Sequence, residues 1–257
     1  MAGQGLMMSD YSTAPKVRLS PDLVDLCERP MPRLGPEPGL VYYTPEDFEV
    51  IAERLLVEAG DGPLWIFAYG SLLWRPAFAA VETRLATAVG WRRDFCMEIK
   101  RWRGSPDCPG LMMGLRRGGS CAGAVLRIDE ADRVATLVTL LRRETDVEED
   151  LQSVRWIEAD TSEGKVRALA CWAEPVMSRM FVEKPIEEQA RMLACACGSG
   201  GSGAYYLHQT VASLAALGLS DAYLDALDEM VAREIISLTG FGDSQPAGSG
   251  WVEQTMT

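Results

Sequence analysis

The spacing of hydrophobic residues predicts strands in the middle of this chain and helices in its last third. The most apolar window is residues 65–74, which follows a Gly-Asp-Gly-Pro break at 60–63 and ends before Arg75-Pro76. A short apolar run bounded by turn residues is typical of a buried strand. From Thr87 onward, hydrophobic side chains alternate with polar ones as far as Lys100, which predicts a long, half-buried strand.

Two glycine-containing links, at 117–120 and at 163–164, each separate a pair of strand-like runs. Links of this kind favour hairpins, so two hairpins are predicted. The paired runs are Leu111–Leu115 with Ala122–Ile128, and Val154–Glu158 with Val166–Trp172.

Apolar residues at helical spacing predict several helices. Thr44 followed by Pro45 is a favourable helix start, and Gly60 is a favourable stop. The remaining predicted helices are Pro21–Glu28, Glu130–Glu144, Pro185–Cys197, Tyr205–Leu217 and one that Ser220 caps and that continues through Ile235. Strands first and helices last favour an α+β fold.

The composition divides the chain into three parts. Residues 1 to about 40 are rich in Pro, Gly and Arg, and the last residues form a Gly/Ser/Pro-rich stretch. We therefore expect an N-terminal arm and helix at 1–63, a main domain at 64–240 and a flexible tail at 241–257.

The overall charge and the cysteines exclude some classes of partner and compartment. A formal net charge of −12 over 257 residues argues against a nucleic-acid or anionic-membrane partner. We expect no membrane span and no signal peptide, because no apolar run is long enough and the start lacks a basic, then apolar, pattern. The seven cysteines are odd in number and contain no Cys-x-x-Cys, which favours a reduced, cytoplasmic protein. Neither the composition nor the spacing of residues along the chain indicates a particular oligomeric state.

The turn after the first strand is a candidate anion-binding site. Gly70 and Ser71 can place the backbone N–H groups of residues 70–72 outward together, a geometry that suits a carboxylate or an oxyanion. The alternative is an ordinary turn at the end of a strand.

Glu144 is a candidate proton-transfer residue. It continues a helix face made by Val134, Leu137, Val138 and Leu141. A carboxylate there is either at a solvated helix end or partly buried in a cleft, and burial would raise its pKa toward the value that a general base needs near pH 7.

Three other features have a structural and a functional interpretation. The basic cluster at residues 92–103 either holds a small anion or is a charged strand face. The Gly-x-Gly-x-x-Gly match at 198–203 follows a predicted helix rather than a strand, which argues against dinucleotide binding. His208, the only histidine, with Cys195 and Cys197 has poor spacing for zinc, so we expect no metal site.

Five segments, in order along the chain, resemble the ChaC-like γ-glutamylcyclotransferases. They are the strand and turn at 65–74 (with Ala68 where Gly is common), the Arg pair at 92–93, the Arg-Gly-Ser-Pro-Asp-Cys-Pro-Gly loop at 103–110, the Arg-Glu pair at 143–144, and the Gly-rich loop with the following Tyr-Leu at 198–207. Residues 99–102, Ile-Lys-Arg-Trp, depart from the family's Ser-Thr-Asp-His-like run. This strand end is expected to touch the outer half of a peptide substrate.

The resemblance implies a small mixed β-barrel flanked by helices, here with an N-terminal helical extension. It also implies cleavage of glutathione to 5-oxoproline and Cys-Gly, with no metal and no cofactor. Glu144 would then move the proton, Arg103 would meet a substrate carboxylate, and the remaining candidates would hold the γ-glutamyl head. Those substrate-binding candidates are Tyr69, Gly70, Ser71, Leu72 and Tyr206.

Two alternatives stay open from the sequence. The chain could act on other γ-glutamyl amines or dipeptides, or it could be a γ-glutamyl-binding protein without catalysis. A carboxylate at position 144 argues against the second.

Overall fold

The computed structural model describes residues 17–174 and 178–241, in which five strands form a closed barrel and six α-helices surround it. The barrel strands are β1 (Trp65–Ala68), β2 (Glu82–Ile99), β3 (Gly110–Arg127), β4 (Val154–Thr161) and β5 (Gly164–Cys171). Two short strands, β6 (Cys197–Gly198) and β7 (Gly201–Ser202), pair with each other. The helices are α1 (Pro21–Asp25), α2 (Pro45–Ala59), α3 (Arg133–Glu144), α4 (Ile186–Cys195), α5 (Gly203–Ala216) and α6 (Ala222–Thr239).

The barrel is a mixed sheet in the order β1-β3-β2-β4-β5, and the parallel pairing of β1 with β5 closes it. The other pairs are antiparallel. All four residues of β1 are buried, because each face of the strand packs against a hydrophobic core. The predicted α+β barrel flanked by helices is therefore confirmed.

One predicted hairpin is confirmed and the other is wrong. Strands β4 and β5 turn at residues 161–164 as predicted. Strand β3, however, continues through residues 117–120 as a partner of β2. Gly118 and Gly119 have φ of 99° and 74°, opposite Gly90 at 86°, so these glycines form an irregular bulge instead of a turn.

Strand β1 separates two hydrophobic cores. Its odd-numbered residues, with Tyr69, face a core shared with α4, α5 and α6. Ile66 and Ala68 face a second core shared with α2 and α3. Helix α2 begins as predicted, with a reciprocal capping box between Thr44 and Asp47, and Gly60 ends it.

The N-terminal arm packs on the helical side of the barrel. Helix α1 is capped by Ser20, and Leu19, Leu23, Val24 and Cys27 are buried in the core that contains α5 and α6. The boundaries of the three predicted parts stay predictions, and residues 242–257 of the predicted tail lie outside the described residues. Within the described ranges, no helix is both long and apolar enough to cross a membrane.

The contact between β3 and the end of β1 leaves no room for a side chain at Gly123. A Cβ there would overlap the Ala68 carbonyl oxygen. We expect Gly123→Ala to destabilise the protein by about 1–3 kcal/mol, because the backbone of a closed barrel must shift to accept it. Thermal melts measure this, with Gly35→Ala as the control because nothing lies within 4 Å of its added Cβ. Equal Tm values for the two variants would contradict the prediction.

Candidate active site

A cavity of about 580 Å³ lies between the end of α3, the turn after β1 and the loop after β2. Its size falls within the range of about 300–1,000 Å³ that is usual for small-molecule sites. Three of the candidates, Ser71, Arg103 and Glu144, line this one cavity.

Glu144 is the last residue of α3, and its side chain is 11% exposed. Leu137, Leu140 and Leu141 of the same helix are fully buried, so the apolar face leads the carboxylate into the cavity. The Oε1 atom is buried and accepts no hydrogen bond among the described residues, although Arg143 Nε lies 3.0 Å away. Burial raises the pKa of Glu144, and the charge of Arg143 offsets only part of that rise. The structure thus favours the cleft interpretation over the solvated helix end.

Arg143 was not among the site residues selected from the sequence. Its Nη2 donates a hydrogen bond to Ser71 Oγ at 3.0 Å, and its Nη1 donates to the Arg75 carbonyl. One guanidinium therefore ties the end of α3 to the turn after β1 and lies beside the Glu144 carboxylate. In the sequence, only its position beside Glu144 in the Arg-Glu pair indicates a role in the site. A basic residue near a helix C-terminus is common and does not by itself indicate function.

In the turn at residues 70–73, some of the backbone N–H groups have partners within the protein and others have none. Leu73 N donates to the Gly70 carbonyl at 3.0 Å, which tightens the chain into a 3₁₀ turn. No described residue accepts a hydrogen bond from the N–H of Gly70 or Leu72. Neither Gly70 nor Leu72 lines the cavity, and anion binding by this turn stays a prediction.

Tyr206 comes to the turn from α5. A Cβ added at Gly70 would lie 3.0 Å from the Tyr206 hydroxyl oxygen, so glycine at position 70 permits this approach. Burial raises the pKa of Tyr206 to about 12, although the Arg103 charge and a hydrogen bond from the Ser71 backbone lower it. The phenol is therefore neutral at pH 7 and can act as a hydrogen-bond donor.

Tyr69 has a different position from the one that the sequence suggested. Its hydroxyl donates to the Cys171 carbonyl at 2.8 Å, on strand β5, and it does not line the cavity. Burial raises its pKa well above the usual value. The Tyr69 carbonyl accepts a hydrogen bond from Arg93 Nε at 2.7 Å. Arg93 also pairs with Asp221 at 2.8 Å, which gives this buried arginine a structural role in holding the turn.

Arg103 is a buried cation, 3% exposed, surrounded by aromatic rings. Its guanidinium lies 5.1 Å from the Tyr206 ring centre and 5.7 Å from that of Trp74. Nη1 donates to the Ser202 carbonyl at 3.2 Å, while the nearby Glu28 carboxylate accepts from the Ser202 N–H at 2.8 Å. No described carboxylate forms an ion pair with Arg103, and burial lowers its pKa. A buried, unpaired guanidinium is well suited to an anionic ligand.

The Gly-rich loop forms a wall of the cavity through Trp102. Gly200 N donates to the Trp102 carbonyl at 2.6 Å, and a Cβ on Gly200 would overlap the indole ring. The glycines therefore allow close packing on Trp102, which itself lines the cavity with a φ of 60°. Among the described residues, no three His, Cys, Asp or Glu side chains are grouped as metal ligands would be.

A family model described as "ChaC-like protein" matches residues 64–234, which is more than half of the chain. The chain belongs to the ChaC-like family. The five motif segments all lie within the matched residues, and the resemblance to this family is confirmed.

Named relatives support the same grouping. A "Glutathione-specific gamma-glutamylcyclotransferase" of Escherichia coli K12 is 31% identical over 192 residues, covering 74% of this chain and 82% of the relative. "Gamma-glutamylcyclotransferase 2-3" of Arabidopsis thaliana is 29% identical over 181 residues, covering 68% and 90%. A crystal structure of a yeast γ-glutamyl cyclotransferase specific to glutathione has a TM-score of 0.59 at 19% identity, covering 68% of this chain and 97% of the yeast chain, and shows the same fold.

The raised pKa of Glu144 predicts a pH-dependent penalty on stability. The folded protein binds this proton more tightly than the unfolded chain, so stability falls as pH rises from about 4.3, the ordinary value, through the folded pKa. We expect Glu144→Gln to raise Tm at pH 7, and the gain to shrink as pH falls toward 4. Glu53→Gln, on the exposed side of α2, is the control. A difference in Tm between Glu144→Gln and wild type that stays constant across this pH range would contradict the prediction.

Proposed function

We propose that this protein is a γ-glutamylcyclotransferase that cleaves glutathione into 5-oxoproline and Cys-Gly. The observation that carries the proposal is the buried carboxylate of Glu144, whose Oε1 accepts no hydrogen bond from a described residue, in a cavity that Ser71 of the turn also lines. Membership of the ChaC-like family and the names of the relatives support the choice of reaction and of substrate.

The proposed reaction is an internal substitution. The substrate's α-amine attacks its own γ-carbonyl carbon, and a new C–N bond closes the five-membered lactam. The bond from that carbon to the cysteine nitrogen then breaks. The α-ammonium loses one proton to become a nucleophile and the new ring nitrogen loses a second, while the leaving nitrogen gains two to become the ammonium of Cys-Gly, so protons balance and no water is consumed.

Glu144 serves both proton transfers in this scheme. As a carboxylate it takes the proton from the α-ammonium, and as a carboxylic acid it gives the proton to the leaving nitrogen. The raised pKa brings both forms closer in free energy near neutral pH, which is what a group that accepts and then donates requires. Such a transfer contributes about 10²–10⁴-fold to the rate.

The other contacts hold the γ-glutamyl head in a folded conformation, and this proximity can contribute several kcal/mol. The N–H groups of Gly70 and Leu72 bind the α-carboxylate or the oxyanion that forms at the γ-carbonyl, and the N–H of Ser71 positions the Tyr206 hydroxyl beside them. Tyr206 donates its hydroxyl to the same head group, whereas the Tyr69 hydroxyl is held by the Cys171 carbonyl and supports the turn from the sheet side. Arg143 contacts both Glu144 and Ser71 and so fixes the position of the carboxylate relative to the turn.

Arg103 supplies a fixed positive charge for a substrate carboxylate at the inner end of the cavity. Its position over the Tyr206 ring places this charge close to the proposed head-group site. Binding of an anion there would neutralise a guanidinium that has no ion-pair partner among the described residues.

A second candidate substrate class is suggested by residues 99–102, which differ from the family pattern and all line the cavity. Other γ-glutamyl amines or dipeptides should therefore be assayed beside glutathione.

We also propose a cytoplasmic location, with neither nucleic acid nor membrane as partner. The seven cysteines support the location, since all are free thiols.

Glu144→Gln should lower the rate of 5-oxoproline release from glutathione by about 10²–10⁴-fold, because the amide can neither accept nor donate the proton. Release of 5-oxoproline by the purified protein is the measurement, and circular dichroism checks the fold. Glu148→Gln, exposed just past the same helix, is the matched control and should retain activity. Full activity in Glu144→Gln would exclude this residue as the proton carrier.

Arg103→Met should raise the KM for glutathione by about tenfold or more, since a charge-assisted hydrogen bond to the substrate is lost. We expect little change in Tm, because the methionine keeps the contact with the aromatic rings, and relief of a buried charge without an ion-pair partner offsets the lost hydrogen bond to the Ser202 carbonyl. Steady-state kinetics and a thermal melt test this together. A lower Tm with unchanged KM would instead assign Arg103 a purely structural role.

A further inference from the structure

The N-terminal arm contributes residues to the same cavity as Glu144. Arg33, Glu37 and Tyr42 line it, although all three lie outside the matched family region of residues 64–234. The cavity wall is therefore completed by a part of the chain that the family motifs do not include.

Backbone hydrogen bonds fix one end of this arm next to the catalytic helix. Tyr42 and Val147 form an antiparallel bridge, and Tyr43 N donates to the Asp146 carbonyl at 3.1 Å. Glu148 N donates to the Val41 carbonyl at 3.3 Å. The segment that receives the arm begins two residues after Glu144, so the arm has a defined position relative to the proposed chemistry.

The carboxylate of Glu37 lies between two arginines that also line the cavity. Arg179 Nη1 donates to both Glu37 oxygens, at 3.1 and 3.2 Å, and Arg101 Nε is 3.6 Å from Oε2. Arg179 Nε is 3.7 Å from Glu149 as well. The side chains of Glu37, Arg101 and Arg179 are 40%, 33% and 41% exposed. Exposed pairs of this kind are worth about 1 kcal/mol or less, so another carboxylate can replace Glu37 at little cost.

We propose that Arg101 and Arg179 form a second carboxylate subsite, and that Glu37 occupies it when no substrate is bound. The inference rests on the proposed function, in which the γ-glutamyl head binds at the inner end of the cavity. The carboxylate at the opposite end of a γ-glutamyl peptide must then reach the outer part. Arg101 is two residues before the buried Arg103 and is far more exposed. Arg101 and Arg179 therefore lie at the mouth of the cavity, whereas Arg103 lies at its inner end.

Charge supports an anion at this place. Lys100 lines the mouth beside Arg101 and forms no ion pair with any described residue. A cationic mouth on a chain with a net charge of −12 attracts anionic substrates locally where the rest of the protein repels them. The subsite would select γ-glutamyl peptides with a free C-terminal carboxylate over γ-glutamyl amines that lack one.

The test compares glutathione with glutathione amidated at its glycine carboxylate. Arg101→Ala and Arg179→Ala should each raise the KM for glutathione by about tenfold, as expected for loss of a charge-assisted contact, and leave the KM for the amide unchanged. Glu37→Gln should lower the KM for glutathione because the competing carboxylate is gone. Arg191→Ala, which removes one exposed charge on α4 away from the cavity, is the control and should change neither value.

Equal effects on both substrates, or none, would overturn the subsite, and a higher KM for glutathione in Glu37→Gln would overturn the occupancy by Glu37. Failure of the proposed function has a different result, since wild-type protein would then release no 5-oxoproline from either compound. In that case, calorimetric titration of the same variants with both compounds decides the subsite by binding alone. Weaker binding of glutathione, but not of the amide, to the arginine variants would still support it.

Discussion

Burying an ionisable carboxylate at the end of an apolar helix face costs free energy, and the site around Glu144 depends on that burial. The surrounding leucines of α3 remove water from the carboxylate and raise its pKa. Arg143 limits the rise without donating a hydrogen bond to the buried Oε1, because its other nitrogens are directed to Ser71 and Arg75. If both oxygens of the Glu144 carboxylate accepted hydrogen bonds, the folded protein would be more stable, but the pKa of the carboxyl would be lower and it would be a poorer acceptor of protons.

Three buried or half-buried arginines differ in whether protein groups satisfy their charge or leave it available to a ligand. Arg93 has Asp221 and two backbone carbonyls as partners, so its charge is satisfied and it holds the turn. Arg143 bridges two elements of the site. Arg103 has aromatic rings and one carbonyl but no described ion-pair partner, which leaves its charge available to a ligand. The sequence placed Arg93 and Arg103 in one basic cluster, yet their environments assign them different roles.

The arm extends this arrangement beyond the barrel. Apolar residues 19–27 attach it to the helical core, and the bridge at Tyr42 attaches it beside α3. Between these two anchors, Glu37 reaches Arg101 and Arg179 at the cavity mouth. Weak ion pairs at the mouth and strong apolar anchors away from it suit a segment that exchanges contacts with substrate while staying in place.

The sequence by itself determined the features that depend on neighbours in the chain. The capping box at Thr44, the apolar stripe that leads to Glu144, the buried strand at 65–68 and the order of the family motifs all follow from local spacing and residue type. The fold class followed from the same patterns and from the resemblance that they carry.

Only the tertiary structure decided the contacts between distant residues. Gly118 and Gly119 suggest a turn locally, but pairing of β3 with β2 makes them a bulge. The Tyr69 hydroxyl is directed to Cys171, 102 residues away, rather than into the cavity. Arg143 meets Ser71, and Glu37 meets Arg179 142 residues further along the chain. Local patterns record which side chains an element buries, whereas the partner of a polar group is chosen by closure of the barrel and by packing of the arm.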